Sequence, residues 1–511
     1  MGHAGIHCLV MEPTMLANLY AAFAQVFDPY VLAVIFGSSM FGLFMGAIPG
    51  LSATMAVALL VPVTFFMPAV PAVAAMVSAT AMAIFSGDIP GCLLRIPGTP
   101  SSAAYTDEAY AMTRKGQGEI ALGASLVFSA VGGLFGTFVL ILAAPALAEL
   151  ALKFSSFEYF WLVLLGLTCA IFIASNNPLK GFVSLLLGMF IASIGMGNPA
   201  GFPRFTFNNA NLLGGVSLVP LMVGMFAMSE VLRYAVSKDE PMPIDGRPVG
   251  NVFKGMWNLA LKYPKSILRG SVLGTLVGAL PGAGADIAAW MSYAMSKKMS
   301  REPEKFGTGH PEGIVEAGAA NNSALAGAWI PALVFGIPGD SITAIVIGVL
   351  YMKNLNPGPM IFVQNPVSIY AIFMVFILAN LLMLPLGFGC IKLAKRILRV
   401  PRNVLMPLIL LFCIVGSYAT NNSVSDVGTM LIFGLLAYLM EVNGFPVAPT
   451  ILGVVLGGML EEHFVTSMIK ADGEFLAFFS RPIAGTLGVL TILLWLLPLV
   501  LRGLRRKPAL V

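Results

Sequence analysis

The chain has 511 residues, of which 58% are hydrophobic and only 10% are charged, and its mean hydropathy is +0.88. This composition excludes an ordinary soluble protein and is typical of an all-α polytopic membrane protein. The small basic excess, 29 Lys and Arg against 24 Asp and Glu, lies mostly in loops, so it indicates membrane orientation and no nucleic-acid partner.

The first half predicts an interfacial helix, a hairpin, a broken helix and four plain spans. Residues 14–27 are too short to cross a bilayer and suit a helix in the membrane interface. A re-entrant hairpin is predicted for residues 30–66, with the phrase GAIPGLSAT at its tip, and a broken transmembrane helix for residues 72–104, with DIPGCLLRIPGTPSS. The plain spans fall near residues 119–150, 157–175, 178–197 and 213–233.

The second half repeats this order after a basic connecting loop. The loop, residues 235–265, should be cytoplasmic and contains a second amphipathic helix near residues 252–261. A hairpin at 266–299 contains GALPGAGADIAAW, and a broken helix at 313–352 contains WIPALVFGIPGDSIT. Further spans fall near residues 367–391, 403–419, 426–443, 446–460 and 483–501, so the repeats cover residues 14–234 and 266–502.

Internal register and loop charges together indicate two repeats of inverted topology. The tip phrase recurs 232 residues on, from Gly46 to Gly278, and the two Ile-Pro steps have the same spacing in both copies. The bend after the first hairpin has no Lys or Arg, whereas the bend after the second has Lys297, Lys298, Arg301 and Lys305. Five crossings from the first hairpin to the central loop then place every strongly basic loop, and the C-terminus, in the cytoplasm.

The helix breaks predict a binding site. Backbone released from a helix at membrane depth cannot face lipid, so it must be buried in protein or line a wet cavity. The alternative is that Pro and Gly only bend packed helices, but four breaks in matched positions beside hydroxyls or acids favour a site. The break residues are Gly46, Pro49, Gly50, Pro90, Pro97, Gly98, Pro281, Gly282, Gly284, Pro331, Pro338 and Gly339.

Three acids lie at membrane depth, namely Asp88, Asp286 and Asp340. An ionisable side chain there is expensive to bury unpaired, so we interpret the three as cation-coupling residues, with a solvated loop edge as the alternative for Asp88. Unwound carbonyls at the tips are a second source of Na⁺ ligands.

Longer phrases resemble a known family. GALPGAGAD, the run from Ala319 to Ala344, and NLNPGPMIF from Asn354 to Phe362 look like the large membrane subunit of the tripartite tricarboxylate transporters, as do GAIPG and RIPGTPSSAA in the first copy. The resemblance implies uptake of citrate or another di- or tricarboxylate on a Na⁺ or H⁺ gradient across a bacterial inner membrane. It also implies two partners, a small membrane subunit and a periplasmic solute-binding protein.

When the family's motifs are matched to this sequence position by position, the resemblance implies a set of candidate ligands for the substrate. Hydroxyls and amides suit a carboxylate that must later be released, although a single hydroxyl in a helix can instead bond its own backbone. The candidates are Ser52, Thr54, Thr99, Ser101, Ser102, Asn321, Asn322, Ser341 and Thr343.

The chain departs from the family pattern at Arg95, at Tyr105–Ala109 and at Asp340. Arg95 stands where a small polar residue is usual. It either pairs with a substrate carboxylate or neutralises Asp88 or Glu108, and we favour the internal pair. His310, Glu312 and Glu316 could form an acid/base cluster, but we interpret them as a solvated helix start at a basic bend.

Two other functions fit a membrane protein of this kind, an anion channel and a carboxylate/cation symporter without a binding protein. Inverted broken helices within one chain favour alternating access over a pore built by oligomerisation. No HExxH, GxSxG or P-loop phrase is present, so we predict no catalytic residues and no enzyme. Because breaks, hydroxyls and acids concentrate in residues 30–104 and 266–352, we expect these segments to move against a scaffold of plain spans, as in an elevator mechanism.

The inverted topology predicts where single cysteines can be labelled. In a background without the native cysteines, Pro68→Cys should react with an impermeant thiol reagent from the periplasm, and Ser300→Cys should react from the cytoplasm, because the two hairpins enter from opposite faces. Labelling of both sites from the same side would contradict the inverted arrangement.

Overall fold

The computed structural model describes residues 13–173, 177–197, 201–236, 250–400 and 402–505, and this part of the chain is helical throughout, with no named strand. Eight of its helical segments are long and apolar enough to cross a membrane. They are Pro29–Ala47, Ala69–Leu94, Gly118–Ala151, Leu218–Val236, Pro366–Ala394, Asn403–Asn421, Val424–Val442 and Val447–Lys470. The chain is therefore a multi-pass membrane protein, as its composition predicts.

Eleven α-helices make up the first half, before the central loop. They are α1 (Pro13–Val26), α2 (Pro29–Ala47), α3 (Ala53–Phe65), α4 (Ala69–Ser86), α5 (Asp88–Leu94), α6 (Thr106–Arg114), α7 (Gly118–Ala151), α8 (Ser156–Ile173), α9 (Pro178–Ala192), α10 (Leu218–Val223) and α11 (Ser229–Val236). A π-helical turn, Gly224–Met228, joins α10 to α11, so the two form one span.

The second half has eleven more. They are α12 (Met256–Lys262), α13 (Pro264–Gly278), α14 (Gly284–Met299), α15 (Pro311–Phe335), α16 (Ser341–Met352), α17 (Ile361–Gln364), α18 (Pro366–Ile397), α19 (Arg402–Asn421), α20 (Val424–Val442), α21 (Val447–Lys470) and α22 (Pro482–Arg505). Residues 237–249 of the connecting loop lie outside the described residues, as do residues 506–511 of the basic C-terminus.

The breaks do not lie at every predicted residue. Pro90 is inside α5 and Pro331 is inside α15, because a proline removes only its own N–H donor and the helix continues past it. Each helix ends five positions later at a residue with left-handed backbone, Arg95 (φ 61°) and Gly336 (φ 69°). Since α4 and α5 form one continuous span, Ala69–Leu94, the first break comes at the end of that span and not at its centre.

Both predicted hairpin tips are turns between two helices. The turn from α2 to α3 contains Gly50 (φ 87°), and the turn from α13 to α14 contains Gly282 (φ 84°). Only glycine adopts this conformation without strain, which explains why the same Pro-Gly pair occurs in each tip. Ser52 then caps α3, because its hydroxyl accepts a hydrogen bond from the Met55 N–H at 3.1 Å.

Small residues bring the first helix of each predicted hairpin against a buried helix of the same half of the chain. Gly46 of α2 lies against the Ala83 carbonyl of α4, and Gly278 of α13 lies against the Ala324 carbonyl of α15. A Cβ at Gly278 would also lie 2.7 Å from the Cα of Ala324, so a larger residue would force the helices apart. The two halves of the chain therefore share this type of contact.

The most buried helices are α4 and α15, and α7 packs along α15 while α18 packs along α4 and α7. A separate aromatic core joins α8, α9, α21 and α22 around Phe160, Trp161 and Phe478. On its outer edge Arg204 forms two parallel bonds of 2.8 Å with Glu461. The helices that carry the predicted site thus pack together, and α21 of the second core contacts α16 among them.

The start of α15 is buried, so the predicted solvated helix start is wrong. His310 is 6% exposed, Glu312 is 8% exposed and Glu316 is fully buried. Glu316 pairs with Arg269 of α13, and Glu312 accepts hydrogen bonds from the hydroxyls of Ser266 (2.9 Å) and Ser300 (2.6 Å). Polar residues at this bend therefore fasten the second hairpin to α15, which a count of basic neighbours does not reveal.

Candidate functional site

The hairpin tips and the helix breaks of both halves surround one cavity of about 500 Å³. Its lining residues come from the start of α3, the break after α5, the start of α14 and the start of α16, with Ile84 of α4 and one further wall from α21. They are Ser52, Ala53, Thr54, Ile84, Thr99, Pro100, Ser101, Gly282, Ala283, Gly284, Ala285, Asp286, Ile287, Trp290, Asp340, Ser341, Ile342, Ala448 and Leu452.

Each break leading into this cavity has the same hydrogen-bonded cap. In the first half the Ser102 N–H donates to the Thr99 hydroxyl (3.3 Å), and the Thr99 N–H donates to the Ser102 hydroxyl (3.2 Å). In the second half the Thr343 N–H donates to Asp340 Oδ1 (2.7 Å), and the Asp340 N–H donates to the Thr343 hydroxyl (2.9 Å). Reciprocal caps of this kind satisfy backbone groups that lipid cannot.

The two halves of the cavity differ in charge at equivalent positions. Thr99 and Asp340 are 241 residues apart, the displacement that also relates Arg95 to Gly336, and Thr54 and Asp286 are 232 apart, the displacement of the hairpin tips. The second half therefore presents two carboxylates where the first half presents two hydroxyls. None of the residues that line the cavity is Lys or Arg, so its lining carries a net negative charge.

The two carboxylates share one wall. A Cβ at Gly284 would lie 2.6 Å from the Cβ of Asp340, so the start of α14 lies directly against this aspartate. Asp286 follows in the first turn of α14, where it lies beside Ser101 of the opposite half and repels Asp340. Asp340 is committed to the cap of α16, whereas Asp286 is exposed to the cavity.

The structure brings together only part of the predicted ligand set. Ser52, Thr54, Thr99, Ser101 and Ser341 line the cavity. Ser102 and Thr343 do not, and their hydroxyls close the caps described above. This is the role that a single hydroxyl beside a helix start commonly takes.

Arg95 points away from the cavity. It ends α5, its side chain is 62% exposed, and its Nε lies 2.8 Å from Asp107 Oδ1. The predicted pair with Asp88 or Glu108 is therefore wrong. Glu108 instead accepts hydrogen bonds from the backbone N–H groups of residues 309 (2.6 Å) and 310 (2.8 Å), so it needs no basic partner.

Asn321 and Asn322 are buried in α15, away from the cavity lining. Asn321 Nδ2 donates to the Tyr105 hydroxyl at 3.3 Å, and Asn322 Nδ2 donates to the Ala81 carbonyl of α4 at 3.5 Å. Asp88 is also outside the lining and only 4% exposed, so it does not lie at a solvated loop edge. Asn321 and Asn322 therefore form contacts between the two halves, whereas Asp88 is bonded to Tyr105 and Ser125 within the first half.

Two contributions to the cavity were missed from the sequence. Trp290 lies one turn after Asp286 on the same face of α14, and its Nε1 donates to the Pro100 carbonyl at 3.3 Å. The i, i+4 spacing from Asp286 is a signal that could have identified it. Ala448 and Leu452 of α21 carry no signal, because they lie in a plain apolar span.

The comparisons with known proteins decide the family. Residues 32–452 match the family described as the tripartite tricarboxylate transporter TctA family. The chain belongs to that family. TctA proteins are large membrane subunits of tripartite transporters, which accounts for the eight candidate spans and for a membrane cavity without any recognisable catalytic motif.

Two relatives of this TctA protein come from Agrobacterium vitis. An uncharacterized 52.8 kDa protein in the TAR-I ttuC' 3' region is 32% identical over 493 residues, which cover 95% of this chain and 97% of the relative. An uncharacterized protein in the TAR-II ttuC' 3' region is 35% identical over 232 residues, or 45% of this chain and 94% of the relative. No solved structure is significantly similar.

The double role of Asp340 predicts a split between two substitutions. Asp340→Asn keeps a side-chain acceptor for the Thr343 N–H, so the thermal unfolding of the purified protein should change little. Asp340→Ala removes the acceptor and should cost about 0.5–2 kcal/mol, as should Thr99→Ala at the equivalent cap. Equal destabilisation by Asn and Ala would contradict the capping role.

Proposed function

We propose that this chain is the transmembrane transport subunit of a binding-protein-dependent secondary transporter that imports an organic di- or tricarboxylate such as citrate on a Na⁺ or H⁺ gradient. The observation that carries the proposal is the cavity itself. Breaks from both halves of the chain, each lined with hydroxyls or carboxylates, meet around one space of about 500 Å³. Secondary transporters bind their substrates at such opposed helix breaks.

In this proposal the hydroxyl groups of the cavity bind the carboxylates of the substrate. Thr54 and Ser101 from the first half face the same space as Ser341. The Ser101 hydroxyl also bonds the hydroxyl of Thr99 at 3.0 Å. The start of α3 at Ser52 also directs a helix N-terminus toward the cavity, where the macrodipole favours negative charge. Neutral donors and a dipole hold a carboxylate without the tight pairing that a guanidinium would give.

In this proposal the two carboxylates of the cavity bind the cation. A coupling ion is then necessary for an anionic substrate to bind beside them. An anionic substrate that enters a cavity with two aspartates and no basic side chain is repelled by both. At 4 Å each such contact opposes binding by about 4 kcal/mol at an effective dielectric constant of 20. Na⁺ or H⁺ bound at Asp286 and Asp340 removes this repulsion, so substrate and cation would enter the cavity together.

The proposal includes inverted repeats with re-entrant hairpins. α3, α13 and α14 have 13, 15 and 16 residues, fewer than the roughly 20 that cross a bilayer. The repeats also exchange reciprocal contacts. Lys353, after the second broken helix, donates to the Phe65 carbonyl at the base of the first hairpin, and Lys115, after the first broken region, donates to the Thr308 carbonyl beyond the second hairpin, each at 2.7 Å.

An elevator-type displacement is the transport mechanism that this packing supports best. α7 and α18 pack along α15 and α4, so we place them with the hairpins in the mobile unit and not in the scaffold that the sequence favoured. The scaffold would then contain α8–α11 and α19–α22, whereas the interfacial helices α1 and α12 pack against α18 and α7 of the mobile unit. Cavity residues Ala448 and Leu452 belong to this frame, against which the tips would move.

Family membership supports the partners and the membrane. The TctA subunit would work with a small TctB-like membrane subunit and a periplasmic TctC-like solute-binding protein in the bacterial inner membrane. Its C-terminus would be cytoplasmic. Because the cavity is lined with only a few hydroxyls, selection of the substrate would rest largely on the binding protein.

The role of Asp286 is tested by Asp286→Asn, which keeps the volume of the side chain and removes its charge. Uptake of radiolabelled citrate by the assembled tripartite system should fall at least about tenfold, which corresponds to a loss of about 1.4 kcal/mol of cation binding. Alternatively, uptake should lose its dependence on Na⁺ and pH. Asp28→Asn, which removes a charge from the exposed cap of α2, is the matched control. Unchanged cation dependence would make Asp286 structural.

Crosslinking tests the displacement. A Cβ at Gly348 of α16 would lie 3.3 Å from the side chain of Leu218 of α10, so a Leu218→Cys, Gly348→Cys pair joins the mobile unit to the scaffold. Its disulfide should stop uptake, and reduction should restore it. A Leu126→Cys, Gly387→Cys pair joins α7 to α18 within the mobile unit and should leave uptake intact. Full transport with the first crosslink in place would rule the displacement out.

A further inference from the structure

A buried carboxyl group lies apart from the cavity, at the start of α5. Asp88 is 4% exposed and is not among the residues that line the cavity. The Tyr105 hydroxyl donates to its Oδ1 at 2.7 Å, and the Ser125 hydroxyl of α7 donates to its Oδ2. Both donors are neutral, so this aspartate is held by two hydroxyls inside a membrane-spanning segment.

No charged group compensates Asp88 among the residues that the structure describes. The charged residues on the helices packed against α5 are bonded elsewhere or lie at exposed ends. They are Asp107 (paired with Arg95), Glu108 (bonded to the 307–310 backbone), Glu119 (bonded to the Gly250 N–H), and Arg114 and Glu149, both exposed. On α15, Glu316 pairs with Arg269 and Glu312 with serine hydroxyls. The Cys92 thiol, one turn along α5, bonds Thr113.

The hydrogen bonds around Asp88 form a chain with one acceptor left over. Asn321 Nδ2 donates to the Tyr105 hydroxyl, which in turn donates to Asp88. Asn321 is fully buried, and its Oδ1 has no hydrogen-bond partner. Burying an acceptor without a hydrogen-bond donor costs free energy. The Asn321 Oδ1 atom therefore lacks a donor that another arrangement of these hydrogen bonds could supply.

We propose that Asp88 is a proton-binding site, and that Tyr105 and Asn321 form a relay whose hydrogen bonds reverse when the proton binds. A proton on Oδ1 turns Asp88 into a donor, and the Tyr105 oxygen becomes its acceptor. The Tyr105 hydroxyl then points to Asn321, which presents Oδ1 after its amide rotates. Ser125 still donates to Oδ2. One proton enters, no covalent bond other than O–H forms, and release restores the first arrangement.

The unpaired Asn321 Oδ1 atom is the acceptor that the reversed set of hydrogen bonds requires. With the carboxylate ionised, every hydrogen bond points toward Asp88 and Asn321 Oδ1 is idle. With the carboxyl protonated, the hydrogen bonds that join Asp88, Tyr105 and Asn321 point toward Asn321 and its Oδ1 is used, while Ser125 still donates to Asp88. The two protonation states thus differ in the direction of the same hydrogen bonds, which is the property of a two-state element.

The relay connects the two halves of the chain, and its carboxyl group has no counterpart in the second half. Asp88 and Tyr105 belong to the first half, and Asn321 belongs to α15 of the second. The position 241 residues after Asp88 is Trp329, which has no ionisable group. Proton binding therefore changes a contact between the halves without involving the cavity. The site is independent of the cations proposed for Asp286 and Asp340.

Infrared difference spectroscopy of the full-length protein in lipid nanodiscs tests the site, with protons alone as the ligand. A step to lower pH should produce the carbonyl stretch of a buried protonated carboxyl, and Asp88→Asn should remove that band and one proton of uptake. Asp426→Asn, at a buried aspartate bonded to Asn421, should leave both unchanged. Tyr105→Phe keeps Asp88 and should shift the frequency of the same band, because the carboxyl loses its partner.

The proposal is overturned if the spectra of the wild type and Asp88→Asn contain the same carboxyl bands. If Asp88→Asn does not fold, the decision rests on Tyr105→Phe, and carboxyl bands that do not respond to this variant overturn the proposal equally. No substrate is present in these measurements. Failure of the transport proposal therefore leaves the result interpretable, and failure here leaves the cavity untouched.

Discussion

The structure depends on one constraint, which is that backbone groups released from helices inside a membrane need partners from the protein itself. The chain meets this constraint twice with the same device. Thr99 with Ser102, and Asp340 with Thr343, exchange backbone and side-chain hydrogen bonds at the two helix breaks. Because the breaks are satisfied locally, the hairpin tips can approach them and leave a polar cavity between them.

The same device also explains how the two halves of the chain can present different chemistry. A threonine and an aspartate both accept the hydrogen bond that a cap requires, so position 99 or 340 can change charge without loss of the fold. The hydroxyl version leaves neutral donors in the cavity, and the carboxylate version leaves a negative charge. Asp286 occupies the position in the second half that Thr54 occupies in the first. The second half therefore provides the carboxylates to which a cation would bind.

Sequence reasoning located the breaks well, because glycine and proline act locally and recur with a fixed displacement. Gly50 and Gly282 have the left-handed backbone that the tip phrases require, and five of the predicted hydroxyl residues do line the cavity. The partners of individual side chains were harder to predict from the sequence. Arg95 pairs with Asp107, and Glu312 and Glu316 are buried, because contacts between distant segments decide these outcomes and no local pattern records them. The α21 wall was missed for the same reason.

The most direct measurement of the central claim is substrate protection of a single cysteine in the cavity. Thr54→Cys, in a background without the native cysteines, should react with a thiol reagent in the purified protein, and citrate with Na⁺ should slow that reaction at least about tenfold, equivalent to 1.4 kcal/mol of binding. Gly37→Cys on α2, where a Cβ would meet nothing within 4 Å, should react at the same rate with and without ligand. If di- and tricarboxylates with Na⁺ or at low pH all leave the Thr54→Cys rate unchanged, the cavity between the opposed breaks is not the transport site.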